Sequence, residues 1–222
     1  MQMADESAAK ARPPALGAAR HREEAGVEFS RIVAFSDGVF AIAITLLVLA
    51  LDVPEHANDL TRVLENQEGD LFAYALSFAV LGRWWLGHHR FFGSLERFDG
   101  PLMGLNLFYL AWIALVPFSS EVLGDYGDET AGVVLYAANM AGVALAFSAQ
   151  IVYADRRGLM KPELRGVERR FAAPATFVAG GVFLASIPVA FLSPLAAVLM
   201  WLLIFFGGRW IEDRLGGIKT TA

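Results

Sequence analysis

The sequence predicts an all-α, polytopic membrane protein with six transmembrane helices. Three observations predict it. The chain of 222 residues is 56% hydrophobic and only 18% charged, against about 25% charged for a soluble domain. Its apolar residues gather into six long segments joined by short connections. The connections alternate in charge, acidic on one side and basic on the other. In hydrocarbon every backbone polar group must find its partner inside the chain, so such segments are helices.

The first segment, 32–53, carries no charge between Gly38 and Leu51, and Thr45 is its only hydroxyl there. At about 1.5 Å per residue it crosses a hydrocarbon core of about 30 Å. The second, 71–92, is apolar at its start and ends in the polar run Arg83, Trp84, Trp85, His88, His89, Arg90. The third, 101–120, holds Asn106 near its start and Pro117 near its end, where the missing N–H and fixed φ predict a local bend. The fourth (131–153), fifth (171–192) and sixth (194–211) are rich in Ala and Gly and read as scaffold, with Asn139 and Gln150 as packing polar groups. The expected division is a disordered tail over 1–27, a transmembrane domain over 28–212 and a short tail over 213–222. No apolar core of a cleavable signal peptide is evident near Met1.

Charge orients the helices. Asp52, Glu55, Asp59, Glu65, Glu68 and Asp70 follow the first segment, and Glu121, Asp125, Asp128 and Glu129 follow the third. The remaining connections hold Arg90 and Arg97, then Arg156, Arg157, Lys161, Arg165, Arg169 and Arg170. By the positive-inside rule both termini are cytoplasmic, and the expected location is the plasma membrane.

Few residues carry chemistry. Cys is absent, so disulfide and thiolate chemistry are excluded. No P-loop, HExxH or GxSxG motif occurs, no carbonyl filter sequence, no nucleic-acid surface and no nucleophile beside a base. His88 and His89 point about 100° apart on a helix and do not make a metal site. The expectation is a protein that is not an enzyme, without metal, cofactor, nucleic-acid partner or small-molecule substrate. The polar residues that stand out lie toward the cytoplasmic side: Arg31, Ser36 and Asp37, then Trp85 and His88, then Asn106. A carboxylate within a membrane helix is costly and is paired or functional. Asp37 therefore suits a structural ion pair or polar network, with Arg83 or His88 as partner, or an ion-binding or proton-carrying role. Ile42, Leu46 and Leu49 fall at i, i+4 and i+7 on one helix face with Thr45 beside them. Periodicity alone makes that face a packing or lipid-facing stripe.

Arg31-x-x-x-Phe35-Ser36-Asp37 and its apolar continuation closely resemble the first helix of the endosomal/lysosomal potassium channel family (transmembrane protein 175). Trp85-x-x-His88-His89-Arg90-x-Phe92 resembles that family's second helix, and Asn106-Leu107-Phe108 with Pro117-Phe118 its third. The resemblance implies a passive K⁺ channel, K⁺ being the permeant ion. The single six-helix repeat implies the prokaryotic arrangement, a homotetramer around a central pore. It implies that the first helix lines the pore, with Ile42, Leu46 and Leu49 as a hydrophobic constriction and Thr45 nearby. Arg31, Phe35, Ser36 and Asp37 with Trp85, His88 and Asn106 would hold the first three helices together. Arg83 departs from the pattern, since an apolar residue is expected before the Trp pair, and is a candidate for a variant salt bridge. The alternative function is a proton-coupled transporter with Asp37 and His88 as the relay.

Overall fold

The structure, a computed structural model, describes residues 16–51, 68–164, 167–202 and 204. Among them the chain is helical throughout, with one isolated antiparallel bridge between Leu95 and Met160. Helix α1 spans Leu16–Leu46 and tightens into a 3₁₀ turn over Leu47–Ala50. Its first turns, from Leu16, fall within the stretch 1–27. Helix α2 spans Glu68–Gly93. Helices α3 (Gly100–Ala114) and α4 (Val116–Asp125) are the two halves of the third apolar segment, divided at Leu115. Pro117 stands in the first turn of α4, where its absent N–H costs nothing to α4 but cannot continue α3. Helix α5 spans Thr130–Arg156, α6 spans Val167–Ala190, and a further helix, α7, covers 194–202.

By length and composition, three helical stretches among the described residues suffice to cross a membrane: Gly26–Ala50, Gly100–Asp125 and Thr130–Arg156. Pro174–Ala190 is a shorter apolar helix. Helix α2 has the length, but Arg83, two Trp and two His residues dilute its hydropathy. The last turns of the sixth expected segment lie outside the described residues.

Helix α5 is the centre of the bundle. Tyr136, Ala137, Met140, Val143, Ala144 and Ile151 are fully buried. It packs most extensively on α6, with α3 and α4 on other sides. Close approach to α3 depends on Gly142: a Cβ there would stand 2.5 Å from the Trp112 ring. Helix α1 lies at the periphery, against α2 and α3. Its inner face, Phe40, Ala43 and Leu47, is buried to within 2%.

The turn between α2 and α3 is bound to the turn between α5 and α6. Glu96 N–H donates to Leu159 O at 2.9 Å, Lys161 N–H to Ser94 O at 3.0 Å, and Lys161 Nζ to Gly93 O at 2.7 Å. Asp99 caps α3 by accepting from Leu102 N–H at 2.9 Å, while its other oxygen accepts from Tyr153 O–H at 2.9 Å. One carboxylate thereby fixes the start of α3 against the end of α5. These contacts hold the basic end of the bundle together and set the heights of α2 and α3 relative to α5.

Candidate functional site

Where α1, α2 and α3 meet, a chain of hydrogen bonds runs through the apolar interior. Ser36, on α1, donates from Oγ to Ile32 O at 2.9 Å. Its oxygen then accepts from Asn106 Nδ2 of α3 at 3.0 Å. Asn106 Oδ1 lies 2.9 Å from His88 Nε2 of α2. An amide oxygen only accepts, so His88 carries its proton on Nε2. All three side chains are at most 1% exposed. Asn106 sits at the centre because its amide presents a donor to Ser36 on one side and an acceptor to His88 on the other.

Aromatic rings wall this chain off. The His88 ring stacks on Tyr109 at 5.6 Å and 8°, and lies 4.3 Å from Phe92 and 5.7 Å from Phe40. In such surroundings a polar group without its partner costs several kcal/mol. The network therefore admits essentially one relative placement of the three helices. A second link runs beside it: Trp85 Nε1–H donates to Asp37 Oδ1 at 2.9 Å, tying α2 to α1 again.

Asp37 is thus held by Trp85, while His88 is held by Asn106. Neither His88 nor Arg83, the two partners expected for Asp37, hydrogen-bonds to it. Arg83 is exposed on α2. Of the polar motif, the structure brings Ser36, Asn106 and His88 into one chain and Asp37 and Trp85 into another. Arg31 and Phe35 join neither. Both are exposed and line a cavity of about 430 Å³ between α1 and α3, with Glu28, Ile32, Met103, Asn106 and Leu107. Of the aromatic wall, Phe92 belonged to the quoted Trp-His motif, whereas Phe40 and Tyr109 were not singled out in the sequence, although Phe40 stands one turn after Ser36 and Tyr109 one turn after Asn106. Their helical spacing was the available signal.

The other face of α1 is bare. Ile42 is 61% exposed, Leu46 42% and Leu49 72%. Thr45 is exposed among them, and its Oγ1–H donates to Ile42 O at 2.9 Å. The helix is therefore two-sided in burial but not in polarity: both faces are apolar, and this chain covers only one. With the hydroxyl proton spent on the helix, Thr45 presents outward an oxygen that can only accept.

Fold and site together define an all-α membrane protein whose first helix is braced from behind by buried polar links and uncovered in front. A model of the family described as endosomal/lysosomal potassium channel TMEM175 matches residues 31–117, the stretch that contains every one of these links. A potassium channel of Streptomyces collinus is 38% identical over 157 residues, which cover 65% of this chain and 76% of that protein. The endosomal/lysosomal proton channel TMEM175 of Bos taurus is 35% identical over 102 residues, 41% of this chain but 21% of that protein. The crystal structure of a lysosomal potassium-selective channel TMEM175 homolog from Chamaesiphon minutus superposes with a TM-score of 0.69 at 28% identity, covering 85% of this chain and 98% of that one. The chain belongs to the TMEM175 potassium channel family.

Proposed function

We propose that this protein is a passive potassium channel, formed by four copies that bring their α1 helices around a central pore. The observation that carries this reading is the bare face of α1. Ile42, Thr45, Leu46 and Leu49 are uncovered by their own chain, while the opposite face is fixed by buried packing and by the Ser36–Asn106–His88 and Asp37–Trp85 links. A pore-lining helix needs both properties: a surface left open to the axis, and a rigid back that keeps that surface at a set distance from it. The names of the relatives, potassium channels among them, support the same reading.

The mechanism follows from the residues. Rings of Ile42, Leu46 and Leu49 narrow the path and repel water, so an ion crosses only by shedding part of its hydration. K⁺ holds its water less tightly than Na⁺, and a dewetted neck favours it, although less strongly than a carbonyl cage. Thr45 lies within the constriction. Its proton is committed to Ile42 O, so four Thr45 oxygens would face a passing cation as acceptors and replace some of the lost water. The acidic residues at the start of α2 and in the last turns of α4, Glu68, Glu121 and Asp125 among them, would concentrate cations at the mouth. Six membrane helices per copy, cytoplasmic termini and a plasma-membrane location complete the reading, with residues 28–212 as the channel domain and no enzymatic activity.

The test is single-channel recording of the purified protein in a planar bilayer with K⁺ and Na⁺ gradients. Unitary K⁺ currents that change in conductance or selectivity with Leu46→Ser and Thr45→Ala are expected. Currents indifferent to substitutions at Ile42, Leu46 and Leu49 would sink the pore assignment.

A further inference from the structure

Arg83 is a charge without a place in one copy of this chain. It stands ten residues from the end of α2 at Gly93 and fifteen from its start at Glu68, about 15 Å and 22 Å of helix. The polar residues that close α2, His88, His89 and Arg90, stand about one and a half to two turns further on, so Arg83 is set inside the apolar stretch. Its side chain is exposed, and the face it shares with Phe72, Ala75, Ala79 and Leu86 is exposed and apolar. Among the described residues nothing forms an ion pair with it. An unpaired guanidinium against lipid at this depth is the costliest arrangement available to the helix.

The depth of Arg83 also identifies a counter-charge. Trp85 lies two residues, about 3 Å, further along α2 and hydrogen-bonds to Asp37, so Arg83 and Asp37 stand at the same level to within the reach of these side chains. Among the described residues Asp37 is the only carboxylate at that level. Within one chain the two cannot meet, because positions 83 and 85 project about 200° apart around α2, and Asp37 is on the Trp85 side. Copies related by rotation about an axis along the membrane normal keep every residue at its own height. A neighbour's Asp37 is then at the level of Arg83. Trp85 occupies one oxygen of that half-buried carboxylate and leaves the other for an outside donor.

We infer that the Arg83 face of α2 is covered by a second copy of this chain, with Arg83 directed to the neighbour's Asp37. The inference rests on the reading of the protein as a multi-copy channel and adds to it a specific contact between Arg83 and Asp37.

The chain has no Cys, so single cysteines can be introduced at Ala79 and at Leu86, which flank Arg83 on its face and leave it in place. Nitroxide labels there, in proteoliposomes of the full-length protein, are probed for collision with oxygen, which partitions into lipid, and with a water-soluble nickel chelate. Low accessibility to both is expected. High oxygen accessibility would place the face in lipid, and high nickel accessibility would place it in a water-filled cavity; either overturns the inference. Arg83→Leu is expected to shift the purified oligomer toward smaller species in light scattering, and Arg83→Lys to shift it less. An oligomer unchanged by Arg83→Leu would remove the charge pairing. These readouts report assembly and not conduction. Labels found in lipid on a channel that still passes K⁺ would defeat this inference alone.

Discussion

Asn106 shows how one side chain fixes three helices. It donates to Ser36 and accepts from His88, with all three groups out of contact with solvent. Asn106→Leu keeps the volume and strands two buried polar groups, so a loss of about 3 kcal/mol is expected. Thermal unfolding of the detergent-purified protein measures it. Trp85→Phe removes the indole N–H that reaches Asp37, together with part of the ring. That bond ends on a half-buried carboxylate, and its removal should cost about 1–2 kcal/mol in the same assay. Gln150 gives the opposite sign. It is fully buried on α5, and neither atom of its amide has a hydrogen-bond partner among the described residues. Gln150→Met preserves its length and removes the unmatched dipole, so the variant should be more stable by about 1 kcal/mol. The sequence singled out Asn106 and Gln150 alike as polar groups in apolar helices. Which of them is satisfied depends on what the facing helix presents, and that is a tertiary property.

At the scale of the element, α1 and α5 are both long and apolar but serve differently. Helix α5 is surrounded, and Gly142 is the point where Trp112 comes against its backbone. Gly142→Ala places a methyl inside that ring and should destabilise the fold by about 1–3 kcal/mol through overpacking. A cavity-making second change, Trp112→Leu, should recover part of the loss in the same unfolding measurement. Helix α1 is surrounded on one side only. Leu46 is 42% exposed on the uncovered face, so the melting temperature of Leu46→Ser should stay close to that of the wild type. Its conductance or its K⁺/Na⁺ preference should change, because in the proposed tetramer the substituted ring would lie in the path of the ion. A large stability loss with unchanged currents would place Leu46 in packing rather than at a pore. The helix content of both segments was legible from apolar length. So was the break between α3 and α4, since Pro117 cannot extend α3. The rotation of α1 about its axis was not. Its two faces are equally apolar, and the composition of α1 does not say which is covered.

For the whole molecule, the arrangement of polar groups runs by level. The basic turns are clamped together at one end, the Ser36–Asn106–His88 and Asp37–Trp85 links lie further in, and the exposed Ile42–Leu49 face lies beyond them along α1. The brace is thereby separated from the proposed constriction by about one and a half to three and a half helical turns. Substitutions at the constriction should act on conduction and substitutions at the brace on folding. Light scattering of the purified protein should give a particle of four 24.1 kDa chains. A stable monomer would leave the α1 face with nothing to line.

By itself the sequence determined the class of structure, because apolar length and the requirement for internal backbone pairing leave helices as the only solution. It also determined the order of the helices and the residues able to link them, since RxxxFSD, the Trp-His run and Asn106 are local patterns. It did not determine the pairing among those residues. Asp37 had Arg83 and His88 as expected partners and took Trp85, and His88 turned instead to Asn106. Two residues on a helix differ in direction by about 100° per step, so a small rotation of one helix against another exchanges their partners. Only the packed bundle sets that rotation. The same rotation turns Ile42, Thr45, Leu46 and Leu49 outward and leaves Arg83 facing away from the chain that carries it.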